Sequence, residues 1–351
     1  MKITRRSFVA GAAALAAAPA FARNADEIRA VLLHWGVNMW GESLPEGVSA
    51  IANGRLCRDR VDFDEARWNA LVSHAANRGL NMVVVDLGEF PVYPSHPELA
   101  LPGSRPPNLI RAEVRRLREL GIEAIPKLNC STAHDAWLKE YGRMVSTRPY
   151  YQVCRDVIRD AAEMFDHPRF LHIGYDEERA SHQKGFQCVR TDEVWWHDFL
   201  FFVKTVEDAG MRPWMWSDYG WHHADFVEKC PKSVMQSNWY YDEKMEGFDL
   251  AAMKPEAESR PYLELYAKLD RAGFDQIPCA SNWCSEFRRQ RGAKNDGCMA
   301  GLAKFCRANV SAERLKGFMM ATWAPCWKSG TLGRADFDGI DQVAEVDSNL
   351  S

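Results

Sequence analysis

Eight times along this chain a short apolar run gives way to a longer segment with helical spacing, and no other feature constrains the fold as tightly. The runs begin with Ala30–Asn38, Leu80–Leu87 and Ile122–Leu128. They continue with Phe170–Ile173, Pro213–Trp216, Val234–Ser237, Gln276–Ala280 and Gly317–Thr322. Met82-Val83-Val84-Val85 shows the type: an unbroken apolar run suits a strand buried on both faces of a parallel sheet. Asp62–Arg78 follows the first run, with Phe63, Ala66, Leu71 and Ala75 near a helical period and Gly79 as a stop. Asn108 stands where a cap is expected for a helix to Leu120, closed by Gly121. Further helices are expected near Tyr150–Phe165, Val194–Ala209, Ala224–Lys229, Pro261–Ala272 and Cys298–Ala308. This order predicts an α/β protein, a (β/α)8 TIM barrel. A doubly wound sheet is the alternative, but no Gly-x-Gly-x-x-Gly follows the first strand. With no linker or repeat in view, residues 23–351 read as a single domain. The tail after Lys328 is polar and is expected to fray or to cover the barrel.

Residues 1–22 read as a targeting segment rather than as fold. Arg5-Arg6 precede Phe8, an alanine-rich run follows, and Ala20-Phe21-Ala22 has the small-x-small pattern of a cleavage site. This is the pattern of a twin-arginine signal. The apolar run from Phe8 to Ala18 is too short to span a bilayer. The expectation is therefore a periplasmic or secreted protein with no membrane association after cleavage. Cleavage removes Lys2, Arg5 and Arg6, which leaves 41 basic against 48 acidic residues, a net charge of −7. That balance argues against a nucleic-acid partner. The ten cysteines include no Cys-x-x-Cys, so neither a zinc ribbon nor a redox pair is signalled. Most are expected to be small core residues, with room for one or two disulfides in an oxidising compartment. No cofactor and no metal is called for.

The chemistry gathers at the strand ends. The fourth run finishes in Asp176-Glu177-Glu178, and adjacent carboxylates repel and resist burial. At the mouth of a barrel such a cluster lies where catalytic groups are found; the plain alternative is an acidic cap before a helix. The other strand ends supply Asn38 and Trp40, Asp86 and Glu89, Asn129 and His134, Trp216 and Asp218. After them come Asn238, Trp239, Tyr240, Tyr241 and Asp242, then Asn282 and Trp283, then Trp323. In a barrel these loops share one face. Aromatic planes among carboxylates and amides suit a sugar, whose C–H face stacks and whose hydroxyls need paired donors and acceptors.

Two of these segments carry a family resemblance. Ile125-Pro126-Lys127-Leu128-Asn129 with His134, and His172-Ile173-Gly174-Tyr175-Asp176-Glu177, are similar to the third and fourth strands of glycoside hydrolase family 20, the β-N-acetylhexosaminidases. The second resembles that family's His-x-Gly-Gly-Asp-Glu signature, with Tyr175 in place of a glycine. The resemblance implies that Glu177 is the general acid and that Asp176 orients the substrate's own 2-acetamido group. That group attacks the anomeric carbon, so no protein nucleophile is needed. Asp176 would stay ionised, and the neighbouring charge would raise the pKa of Glu177. Tyr240 or Tyr241 would bond the acetamido carbonyl, and Asp242 a sugar hydroxyl. Trp216, Trp239, Trp283 and Trp323 would wall the pocket, with His134 and His172 supporting the carboxylates. The chain departs from the family in having no Arg in Trp35–Trp40 and no acid after Trp323-Ala324-Pro325. Its first strand also begins soon after the signal, which leaves the barrel alone.

Three other readings compete. In a retaining hydrolase with a protein nucleophile, Glu177 would face Asp218, Asp242 or Glu286 at about 5 Å. A non-catalytic carbohydrate-binding barrel would keep the tryptophans and have no use for the Asp176–Glu177 pair. A metal-dependent hydrolase would use His222, His223 and Asp218, but adjacent histidines on a strand point apart.

Overall fold

The computed structural model describes residues 27–39, 58–178, 189–241, 249–282, 297–325 and 334–346. The expected signal at 1–22, and Trp40, Asp242, Trp283 and Glu286, lie outside these residues. The strands are β1 (Ile28–His34), β2 (Met82–Asp86), β3 (Glu123–Lys127), β4 (Phe170–His172), β5 (Arg212–Trp216), β6 (Met235–Ser237), β7 (Cys279–Ala280) and β8 (Gly317–Pro325). Between and after them lie α1 (Glu65–Asn77), α2 (Pro107–Glu119), α3 (Arg148–Met164) and α4 (Asp192–Asp208), then α5 (Phe226–Lys229), α6 (Arg260–Arg271), α7 (Cys298–Asn309) and α8 (Arg334–Ala344).

The strands pair in the order β6-β5-β4-β3-β2-β1-β8-β7, every pair parallel. Parallel bridges Gln236–Gln276 and Trp239–Cys279 join β6 to β7 and close the ring. The protein is a (β/α)8 barrel. Register explains its two apolar layers. Leu32, Val84 and Ile125 lie side by side across β1–β3 and point into the barrel. Their neighbours Val31, Val83 and Ala124 form the next row and point out against the helices. A period of two along each strand divides inner filling from outer core.

The outer helices correct the sequence expectations at their ends. Asp64, not Asp62, begins α1, its carboxylate accepting from Arg67 N at 3.0 Å. Asn108 does not cap α2. The helix opens at Pro107, whose ring fixes φ in the first turn, so Asn108 already lies inside it. Within the polar tail, residues 334–346 are described and supply α8, with Ile340 and Val343 buried. Asp341 of that helix accepts from His74 of α1 and forms an ion pair with Arg78 at the end of α1, both at 2.8 Å, which fastens the last helix to the first. No helix among the described residues is long and apolar enough to cross a membrane. Cys130, Cys154, Cys230, Cys279, Cys298 and Cys306 are buried free thiols, in keeping with core use.

Candidate active site

The site begins with a backbone that turns left-handed where β4 ends. Gly174, Tyr175 and Glu177 have φ of +68°, +70° and +56°. Such values suit glycine and strain other residues. Gly174 meets the requirement directly, since a Cβ there would crowd Leu128 O at 3.2 Å and Asn129 Oδ1 at 3.3 Å. Tyr175 and Glu177 need outside support. The Tyr175 phenol donates to Trp195 O at 3.1 Å, and its ring packs among Trp195, Phe199 and Phe202. The Glu177 N–H donates to Asp218 Oδ2 at 3.0 Å, and Ser131 Oγ donates to Asp176 O at 2.5 Å.

This turn separates the three consecutive carboxylates. Asp176 and Glu177 face His134, whose Nδ1 is 3.5 Å from Asp176 Oδ1 and whose Nε2 is 3.5 Å from Glu177 Oε2. Burial disfavours the imidazolium, but Asp176 and then Glu177 outweigh it and carry the His134 pKa up to about 10. Burial likewise works against the Asp176 carboxylate, and His134 overrides it, bringing that pKa down to about 2. Both shifts favour the charged pair, Asp176 as carboxylate and His134 as imidazolium. The donor atoms of these three residues lie within 4.8 Å of one another, a spacing that would also admit a cation. Glu178 turns the other way, where Arg190 takes both its oxygens, at 2.6 and 2.9 Å.

Below the pair, the barrel interior holds a second polar group. Lys127 is fully buried and donates to Asp86 Oδ2 at 2.7 Å and to Asn129 Oδ1. Asn129 Nδ2 returns to Asp86 at 2.8 Å. Beside them His172 is held neutral, burial first and Lys127 second pushing its pKa well down. Its Nδ1 accepts from Gly174 N at 3.0 Å, which places the ring proton on Nε2. Among the described residues neither that Nε2 nor the buried Trp216 Nε1 has a hydrogen-bond partner, and Asp176 Oδ1 accepts no hydrogen bond. The His172 and Trp216 rings are 4.6 Å apart. Two donors, those of His172 and Trp216, are thus unmet beside the carboxylates.

The remaining wall is aromatic. Trp323 lies 6.1 Å from Trp216 and 5.6 Å from His34, and its side chain hydrogen-bonds the Tyr241 phenol. Burial first, with the neighbouring charges of Asp176 and Glu177, pushes that phenol well above its ordinary pKa, so it remains a donor. Trp239 packs 5.1 Å from Tyr241 and contacts the inner apolar layer. Tyr240 instead packs against the outer core and lies 6.2 Å from Tyr262. Of the two tyrosines expected to serve, only Tyr241 is turned to the carboxylates, because neighbours on an extended chain face opposite sides. Asp242 and Trp283 fall outside the described residues.

Several strand-end groups read as ligands are spent on loops. Glu89 accepts from Val37 N at 2.9 Å and Asn38 N at 3.0 Å, and Asn38 pairs with the backbone of Arg58. Asn238 accepts from Trp221 Nε1 at 2.8 Å and donates to Tyr262 O at 2.7 Å. Asp218 holds the Glu177 backbone rather than facing Glu177 across a pocket. His223 stacks on Tyr219 at 3.6 Å while His222 meets Tyr262 edge-on, so these histidines do not converge on a metal. The sequence reading missed Lys127 and Arg190 as site-building residues. A lysine inside an apolar strand was a visible signal; Arg190, in a polar stretch before a helix, carried none.

Comparison with solved structures gives this geometry a setting. The barrel is similar to those of family 20 glycoside hydrolases. An inactive mutant of a family 20 exo-β-N-acetylglucosaminidase from Vibrio harveyi matches with a TM-score of 0.59 and 14% identity, over 91% of this chain and 54% of that one. The N-acetyl-β-hexosaminidase of Streptomyces plicatus matches at 0.55 and 14%, over 92% and 64%. Dispersin B matches at 0.53 and 15%, over 81% of this chain and 94% of its own. This chain therefore spans about half the length of the Vibrio enzyme and under two thirds of the Streptomyces enzyme. At such identity the likeness is one of fold. No protein-family model and no curated protein matches the sequence.

Proposed function

We propose that the protein is an exported glycoside hydrolase that removes terminal β-linked N-acetylhexosamine by substrate-assisted, retaining catalysis. The observation that carries the reading is one imidazole held between two adjacent carboxylates, 3.5 Å from each, at the mouth of the barrel. In this reading Asp176 receives the acetamido N–H and Tyr241 donates to its carbonyl oxygen. The carbonyl oxygen attacks the anomeric carbon as Glu177 protonates the departing glycosidic oxygen. Once the acetamide occupies Asp176, His134 loses its stronger counter-ion and its affinity for a proton falls. The proton then passes to Glu177, which makes that carboxyl an acid at the moment it is needed. Water, deprotonated by Glu177, opens the cyclic intermediate in the second half. The unmet donors of His172 and Trp216 suit sugar oxygens, and Trp216, Trp239 and Trp323 supply apolar faces. The similarity of fold to hexosaminidases supports the same substrate class. The twin-arginine pattern of residues 1–22 supports a periplasmic or secreted location.

The test is release of a chromophore from aryl β-N-acetylglucosaminide and β-N-acetylgalactosaminide by the mature protein, Asp176→Asn and Glu177→Gln. Turnover by the parent and its loss in both variants is expected. Turnover of simple hexosides without the acetamido group would instead favour a protein nucleophile. Sugar binding without any turnover would favour a binding barrel.

A further inference from the structure

Twelve positions after Glu178 the chain returns to the same carboxylate with Arg190. The side chains of Arg190 and Glu178 are each 1% exposed, and that of Asp198 is fully buried. Arg190 Nε and Nη2 take the two oxygens of Glu178, Nη1 donates to Asp198 Oδ2 at 3.0 Å, and Nη2 also donates to Cys130 O at 2.8 Å. Its guanidinium lies 4.6 Å from the centre of the Tyr175 ring. One planar cation therefore joins the end of β4, the loop after β3 and helix α4. Thr132 Oγ1 donates to Glu178 Oε1 at 3.0 Å, which ties the loop to the same carboxylate. That loop also carries His134.

These contacts bear on the turn that precedes them. Tyr175 and Glu177 sit in the left-handed region, where residues with a Cβ stay only if their surroundings over-determine them. Arg190 grips that turn at two points, the Tyr175 ring and the Glu178 side chain, while its bond to Cys130 fixes the loop opposite. We propose that Arg190 is a positioning residue for the hydrolytic pair: by binding Glu178, Asp198 and Cys130 O at once, it sets Asp176 and Glu177 against His134. The inference rests on the hydrolase reading above for its consequence in catalysis, though not for its geometry. Lysine cannot replace it, because an ammonium lacks the planar fork that serves two carboxylates and a carbonyl together. Asp135 is buried beside this cluster, and burial raises its pKa against the opposing charge of Arg190.

The experiment uses the mature protein and the double variant Arg190→Met/Glu178→Leu. Removing Arg190 and Glu178 together leaves one buried carboxylate, Asp198, which keeps its bonds from Ser146 and Tyr151, so less charge is stranded than in either single variant while the clamp is lost. Two quantities are read: kcat and KM on an aryl β-N-acetylhexosaminide, and the His134 imidazole pKa by NMR. A fall in kcat of roughly tenfold to a hundredfold with little change in KM is expected. The imidazole pKa should fall as well, because Asp176 and Glu177 no longer face it. Should the double variant not fold, Arg190→Lys is read in the same two ways and should show the same direction. An unchanged His134 pKa in a folded variant overturns the proposal, whatever the activity. An inactive parent overturns the hydrolase reading instead, and the NMR measurement still decides the clamp.

Discussion

Glu177 and Glu178 are neighbours of the same chemical type, yet the fold gives them opposite work. Glu177 stands at the barrel mouth, its side chain 30% exposed, against an imidazole at 3.5 Å. Glu178 is sealed, with both oxygens on Arg190 and a third bond from Thr132. The two side chains part at a left-handed turn, with φ of +56° at Glu177, and meet different partners. A carboxylate that must change its protonation needs a partner that can also give or take a proton, and histidine can. A carboxylate that must never change it is best served by a guanidinium, which stays charged. In the proposed mechanism, catalytic and structural charge are thus separated by one residue in sequence.

The largest effects should come from setting these neighbours against each other. Glu177→Gln should lower kcat at least about a thousandfold with melting temperature little changed, since it removes the acid and leaves the buried network intact. Glu178→Gln should do the reverse in stability, costing roughly 2–3 kcal/mol in denaturant unfolding, because Arg190 exchanges a buried charged acceptor for a neutral one and keeps only Asp198 as its counter-ion. If the two variants had similar melting temperatures, the comparison would be broken. Next in size is the tyrosine pair. Tyr241→Phe should cost roughly tenfold to a hundredfold in kcat, whereas Tyr240→Phe should leave it within about threefold, because only the first phenol is turned to the carboxylates.

A smaller effect concerns pH. The pKa of His134 is raised in the folded protein, so its contribution to stability is full below about 6.5 and is lost as pH climbs through about 10. That of Asp176 is depressed, so its contribution is present above about 3.8 and is lost as pH falls through about 2. These are two views of one interaction and do not add. His134→Gln should therefore cost roughly 2 kcal/mol near neutrality, a difference that vanishes above pH 10 in denaturant titrations at several pH values. A constant difference across that range would remove the ion-pair account. The smallest effect should be at Arg118→Ala, whose partner Asp166 is 71% exposed: less than about 1 kcal/mol, declining with salt. It sets the scale against which the buried Glu178–Arg190 pair is judged.

Much of the fold was legible because it rests on local periodicity. Unbroken apolar runs such as Met82–Val85 and glycine stops such as Gly79 and Gly121 mark where strands and helices lie, and their alternation leaves few architectures. Helix α8 was the exception. Its apolar positions, Ile340 and Val343, are few and lie in a polar stretch, so its place in the ring depends on contacts with α1 and β8 rather than on its own pattern. In the site, the Asp176–Glu177 pair and His134 stand out because chemistry-bearing residues at strand ends meet on one face of a barrel. Asn38, Glu89 and Asn238 stand out equally and are loop anchors, because which atom reaches which backbone amide depends on three dimensions.

What the sequence by itself determined was the order of strands and helices and the collection of acids, amides and aromatic residues at one end of them. Side-chain period and turn residues act over a few positions and need no distant partner. Only the tertiary structure decided which charges meet. It turned Glu178 inward to Arg190, placed His134 between Asp176 and Glu177, and chose Tyr241 over Tyr240. Each of these choices depends on a left-handed turn or a contact across dozens of residues, and burial multiplies the strength of whichever pairing the fold permits.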